Sequence, residues 1–181
     1  DFKSVLDAFK TAQAQVKSIA NSVDEQPANK ILFQDAAPRA AVMLNKITEI
    51  IDEEMKQYPS PERRQLLGAL ADIRGTTGVV LANIRAYLLS GDAKFAELFD
   101  KAWAKNERRF ADAPGMSGLM TESQRAASKI FGEKRAAFKQ YPPQMFEIRG
   151  SNQWNMANYT LVTEAAPRAG TLLTILRGPL A

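Results

Sequence analysis

The chain contains no histidine and no cysteine. Those two absences remove zinc and iron–sulfur sites, covalent haem attachment, thiol nucleophiles and imidazole proton transfer. Neither a cofactor nor a metal is expected, and any site must be built from carboxylate, amide, hydroxyl, guanidinium and aromatic groups. The lack of cysteine leaves the compartment open, because a bundle of this size needs no disulfide staples. Long apolar runs are missing too: nothing approaches the roughly 18–20 residues of a membrane span, and no signal-peptide pattern is present. Charge is not concentrated either. The 24 basic and 20 acidic residues leave a net +4, and no run of Lys and Arg exceeds two, so the basic stripe of a nucleic-acid binder is absent. No segment alternates with period two for long enough to make a strand.

What is present is the composition of a folded chain, 45% hydrophobic and 24% charged over 181 residues, enough for one domain with a real core. The first residue is Asp1 rather than methionine, which reads as a piece of something longer. Phe2, Val5, Phe9, Ala12, Val16, Ile19 and Val23 recur at spacings of three and four, the seam of an amphipathic helix. The phase is lost across 24–28 and restarts with Asn29, Leu32, Ala36, Arg39 and Met43, so the break is a kink or a short loop before a segment reaching about Gln57. Were residues 1–57 one helix, it would span about 85 Å, an elongated shape.

Ser60-Pro61-Glu62 is a helix start, and the helix it opens has the heptad Leu66, Leu70, Ile73, Thr77, Val80, Ile84, Tyr87. Ser90-Gly91-Asp92 ends it and caps the next, whose inward face is Phe95, Phe99, Ala102, Trp103, Asn106 and Phe110. Residues 112–120 read as a loop, Thr121 to Gln124 as a capping box, and the helix that follows should run to about Gln140 and stop at Tyr141-Pro142-Pro143. A last helix is expected from about Gln144 to Arg177, ended or broken by Arg177-Gly178-Pro179. The fold class is therefore all-α: an elongated antiparallel helical bundle of the four-helix-bundle type, in one bundle or two stacked tiers.

One phrase occurs twice. "ANKILFQDAAPRA" at 28–40 returns as "ANYTLVTEAAPRA" at 157–169, with Asp35 and Glu164 keeping the acid. In the final helix Trp154, Asn158, Leu161, Ala165, Arg168, Leu172 and Ile175 keep heptad spacing, which turns Asn158 and Arg168 toward partner helices, as Asn29 and Arg39 are in the first copy. Inward arginines need anions, from side chains or from a ligand. The plainer alternative is that each arginine caps the kink made by the proline before it, since Pro38 and Pro167 cannot donate to the carbonyls of Gln34 and Thr163. The two copies either face each other across one bundle or belong to separate tiers.

Arg74 and Arg85 lie three turns apart on nearly one face, with Thr77 and Leu81 between them. Two guanidinium groups along one groove could hold both ends of a small dicarboxylate; for either alone, a surface salt bridge is the ordinary role. A second echo, "IRGTTGVVLAN" (73–83) against "IRGSNQWNMAN" (148–158), places Gly75 and Gly150 inside helices. Each costs about 1 kcal/mol relative to alanine, which points to close helix approach or to room for something bound.

"LANIRAYLLSGDAKFAELFDKAW" (81–103) resembles the helix–turn–helix phrase of the extracytoplasmic helical sensor domains of bacterial methyl-accepting chemotaxis proteins and related sensor kinases, and "WNMANYTLVTEAAPRAGTLLTIL" (154–176) is similar to their closing helix. The resemblance implies that residues 1–181 are a single periplasmic sensor domain of an inner-membrane receptor, complete or cut short at its C-terminal end. The membrane is then met only through flanking helices outside this sequence. It further implies a homodimer, a small-molecule ligand held between helices (an organic acid or amino acid, with arginine on the carboxylate), and signalling by a shift of the last helix. Arg74, Thr77, Arg85 and Asn158 are the expected polar contacts, Tyr87 and Trp154 the expected walls. The competing reading is a structural or partner-binding bundle whose polar seam residues set register and oligomer state. No enzyme is expected, because acids such as Glu53 and Glu54 are adjacent and diverge on a helix.

Overall fold

The computed structural model describes residues 1–178 and is all-α, with no strand among the described residues. In chain order its α-helices are α1 (Phe2–Ile19), α2 (Pro27–Ile31), α3 (Ala37–Glu54), α4 (Pro61–Ser90), α5 (Ala93–Asp112), α6 (Glu122–Phe138), α7 (Tyr141–Gly150), α8 (Met156–Thr160) and α9 (Ala166–Arg177). Pro179, expected to end the last helix, lies outside the described residues. The chain divides into two compact units, one of residues 31–146 and the other of residues 1–30 with those from 147 onward.

In the unit that holds both ends of the chain, α1 packs against α8 and α9. Ala12 is buried, and Val5, Phe9, Val16 and Ile19 are half-buried beside it, the face the spacing requires. After α1 the chain turns through Asn21, whose φ of 64° is a left-handed value that asparagine tolerates. Glu25 ties this loop down. Its carboxylate accepts from Asn21 N at 2.7 Å and from Asn155 Nδ2 at 3.2 Å, and its carbonyl accepts from Met156 N at 2.8 Å. Residues 1–57 are thus two helical stretches separated by a loop, not one long helix.

Both copies of the repeated phrase contain a π-helical turn, Leu32–Ala36 and Leu161–Ala165. Ala37 N donates to the Leu32 carbonyl and Ala166 N to the Leu161 carbonyl, five residues back in each case. The proline that follows has no N–H, and its ring crowds the carbonyl four residues earlier, so a wider turn relieves the clash. The arginine after each proline then supplies the missing donor. Arg39 Nη1 donates to the Asp35 carbonyl at 2.7 Å and to its carboxylate at 3.3 Å. Arg168 Nη1 does the same at Glu164, at 2.5 and 2.6 Å. The capping role is therefore the observed one, but it falls on Asp35 and Glu164, one residue beyond the carbonyls of Gln34 and Thr163, because the π turn carries one extra residue. Arg39 and Arg168 belong to different units.

That extra residue also corrects the inward face of the last helix. A π insertion rotates everything after it by about 100° relative to an unbroken α-helix, so a heptad read straight through mixes two faces. Asn158 is exposed, as are Leu161 and Ile175, and Arg168 is only half-buried; the buried positions are Ala157, Thr160, Ala165 and Leu172. Nor is 144–177 one helix. It is broken after Gly150, where Ser151 Oγ accepts from Gln153 N at 3.1 Å to start a short 3-10 turn and Asn155 Oδ1 accepts from Asn158 N at 2.8 Å to cap α8.

In residues 31–146, α3 packs on α4 and α6, and α4 packs along α5, an antiparallel four-helix bundle joined by short turns. Ser60 Oγ accepts from Arg63 N at 3.2 Å at the start of α4, and Gly91, with φ 72°, ends it. Thr121 and Gln124 close the expected capping box at the start of α6. Residues expected as a loop, Ala113–Leu119, wind as a 3-10 helix. The helix α6 ends at Phe138, two residues early, before Tyr141-Pro142-Pro143 as expected, but those residues already open α7 instead of preceding it, since prolines in a first turn have no intrahelical donor to lose. Met43, Ile47, Ile50, Leu66, Ile73, Ile84, Phe131, Phe138 and Met145 form the core. At one end of it Phe146 meets Tyr87 and Phe99 edge-on, at 4.9 and 5.0 Å between centroids. Gly75 does not mark a close helix approach: a Cβ there would meet nothing within 4 Å, and the same holds for Gly68 and Gly78 of α4.

Candidate functional site

The bundle of residues 31–146 buries two polar clusters. The first lies where α4, α5 and α6 meet. Asn106, fully buried on α5, donates through Nδ2 to the Ile73 carbonyl at 3.1 Å and toward Thr76 Oγ1 at 2.9 Å and Thr77 Oγ1 at 3.2 Å on α4. Both threonine hydroxyls in turn donate to carbonyls of their own helix, Thr77 to Ile73 at 2.8 Å. On the other side Asn106 Oδ1 accepts from Arg135 Nε of α6 at 2.9 Å. The Arg135 guanidinium carbon lies 4.6 Å from the ring centroids of both Trp103 and Phe110. Burial pulls the Arg135 pKa below its ordinary value, and the charge of Glu107 acts in the opposite sense. Glu107 itself is engaged with Lys139 at 2.9 Å, a hydrogen bond that holds its carboxyl below the usual range. Arg135 Nη2 is buried with no hydrogen-bond partner.

The second cluster joins the ends of α3, α4 and α6. The buried Glu54 carboxylate accepts from Arg63 Nη1 at 3.0 and 2.9 Å and from Gln124 Nε2 at 2.9 Å. Arg63 Nη2 donates to the Leu119 carbonyl at 2.8 Å and Gln124 Nε2 to that of Ile50 at 3.1 Å. Here every charge has its partner.

Thr77 is the one expected contact that sits in the first cluster. Arg74 is exposed and donates through Nε to Thr48 Oγ1 on α3 at 3.0 Å, and Arg85 is exposed as well. Tyr87 belongs to the aromatic end of the core with Phe146. Trp154 and Asn158 fall in the other unit, Trp154 with the Arg149 guanidinium 4.7 Å from its ring and Asn158 on the outer side of α8. Sequence reasoning did not single out Arg135, Glu54 or the core role of Gln124. Asn106 was visible as a polar member of the α5 seam, but Arg135 stands in "GEKRAAF", where it reads as one more solvated charge.

Each unit also carries surface hollows. An open groove of about 750 Å³ in the other unit is lined by Thr11, Gln15 and Ser18 of α1 with Thr160 and Glu164. Another of about 500 Å³ runs along Lys105, Arg108, Arg109 and Asp112 on α5. Lys105 and Arg109 there pair with Asp72 at 2.6 and 2.9 Å, and the Lys105 hydrogen bond, joined by that of Arg109, lowers the Asp72 pKa. Among the described residues no group of three or more acids could hold a metal ion, and no helix is long and apolar enough to cross a membrane.

Fold and clusters define an all-α protein with a polar seam through one of its bundles. No family model, curated protein or solved structure matches the chain.

Proposed function

We propose that the chain is the ligand-sensing domain of a transmembrane chemoreceptor, a non-enzymatic periplasmic module that takes a small organic acid or amino acid between helices and answers with a helix shift. The observation that carries this reading is the Asn106, Thr76, Thr77 and Arg135 cluster in the middle of the bundle. A bundle selected for stability alone gains more from apolar packing at such positions than from a buried cation. Polar groups converging from three helices suit a ligand whose arrival changes how those helices sit. The resemblance of residues 81–103 and 154–176 to chemoreceptor sensor domains points the same way, and the exposed apolar side chains Leu173, Ile175 and Leu176 on α9 suit homodimerisation.

A thermal-shift screen of the whole chain against organic acids and amino acids tests this. A ligand at a hundred times its dissociation constant adds about 2.7 kcal/mol of stability. The second reading, a structural or partner-binding bundle, is favoured by the completeness of the Glu54, Arg63 and Gln124 cluster, and a screen in which no solute raises the unfolding temperature decides for it. Sedimentation of the chain over a range of concentrations tests the dimer separately.

A further inference from the structure

We infer that Arg135 anchors a planar carboxylate seated between Trp103 and Phe110 in the core of the 31–146 bundle. This rests on the ligand-sensing reading and assigns its anion an atom and a shape. Arg135 is only 8% exposed. Its Nε is committed to Asn106, and its Nη2 is buried with no hydrogen-bond partner. Glu107, whose charge acts on it, is shared with Lys139. A buried cation so placed has only part of the counter-charge that burial demands.

The walls set the shape of what can supply that charge. Trp103 and Phe110 are two helical turns apart on one face of α5, about 10.5 Å along the axis. The guanidinium carbon is 4.6 Å from each ring centroid, so the guanidinium lies between the rings. An acceptor bonding the Nη1–Nη2 edge in the guanidinium plane enters the same layer, one planar group thick. A carboxylate is planar and matches the two-donor fork. Phosphate and sulfate are tetrahedral, and their out-of-plane oxygens would meet the aromatic faces.

The chain has two tryptophans, so Trp154→Phe leaves Trp103 as the sole reporter beside the slot. The full-length W154F protein is titrated with formate, benzoate, benzamide and sulfate at ionic strength matched with chloride, following Trp103 emission and the unfolding temperature. Formate and benzoate should give a saturable emission change and a higher unfolding temperature; benzamide, neutral, and sulfate, tetrahedral, should give neither. Arg135→Met should abolish the response, and Arg135→Lys, which keeps the charge but not the fork, should weaken benzoate binding about tenfold or more; the lysine variant serves if the methionine one does not fold. An undiminished response in either variant, a sulfate response equal to that of benzoate, or no response to either carboxylate overturns the assignment. A ligand from the wider acid and amino-acid screen whose binding survives Arg135→Met leaves the sensing reading standing and removes this one. Silence of every solute in both experiments removes both.

Discussion

Glu54 and Arg135 are charges buried in the same bundle, Glu54 where three helix ends meet and Arg135 in the last turn of α6 against the middle of α4, and their surroundings differ in completeness. Around Glu54 the hydrogen bonds close: two contacts from Arg63 Nη1, one from Gln124, and the remaining donors turned to the Leu119 and Ile50 carbonyls. Around Arg135 there are two aromatic faces, a single amide oxygen and the charge of Glu107, which Lys139 shares, and one guanidinium nitrogen is left over. A closed cluster is costly to break from any side, because each partner removed strands the others without water. An open one loses less when its charge is removed. The difference separates a clasp, which fixes where α3, α4 and α6 end, from a seat.

Five substitutions probe that contrast, in falling order of effect. Glu54→Ala should lower stability in urea unfolding by about 3–5 kcal/mol, the usual cost of leaving a buried partner uncompensated. Arg135→Met, in the absence of ligand, should cost less, about 1–3 kcal/mol, since it removes an incompletely compensated buried charge but strands the Asn106 Oδ1 that Nε serves. Equal losses in the two variants would erase the distinction. Arg39→Ala should cost about 1 kcal/mol and Arg168→Ala less, by the same measurement. Both arginines cap a carbonyl beside a proline, but only Arg39 also lies over a ring, that of Tyr141, at 4.9 Å. Gly75→Ala should raise stability by about 0.5–1 kcal/mol, because its site is helical and open. A loss there would mean that a neighbour uses the space.

A pH experiment gives the smallest signal. The Asp72 pKa is depressed in the folded state, chiefly by the hydrogen bond from Lys105. Its contribution is therefore present above the ordinary carboxylate pKa, near 4, and is lost as pH falls through the lower folded value. Lys105→Ala should move acid unfolding to higher pH, read by circular dichroism.

The helices α4 and α5 could be read from the chain almost to the residue because their caps are explicit and their heptads run without interruption. Ser60, Gly91, Asp92 and Thr121 each do in three dimensions what their neighbours in sequence suggest. The last helix could not be read in the same way. Its sequence has the right residues, but the π turn at Leu161–Ala165 adds a residue that no spacing rule for α-helices anticipates, and Asn158 was turned inward by counting across it. The proline in each repeated phrase was the available clue; of the two roles it left open for the arginine after it, capping is the one observed, one carbonyl further along. The candidate seat was half legible. Thr77 and Asn106 interrupt apolar seams and so attract notice, whereas Arg135 is surrounded by charges in the sequence and by rings in space. Whether a charge is buried depends on what the neighbouring helices bring to it, and one helix's pattern holds no record of that.

The glycines of α4 bear on how the bundle forms as well as on how stable it is. Gly68, Gly75 and Gly78 each lower intrinsic helicity by about 1 kcal/mol relative to alanine, and none is compensated by a close neighbour. An isolated segment of this composition would be mostly unwound in water. The helix that touches both α3 and α5 therefore depends on them to stand. Its amides should exchange with solvent only when the bundle opens as a whole, which ties α3, α4 and α5 into a single cooperative unit.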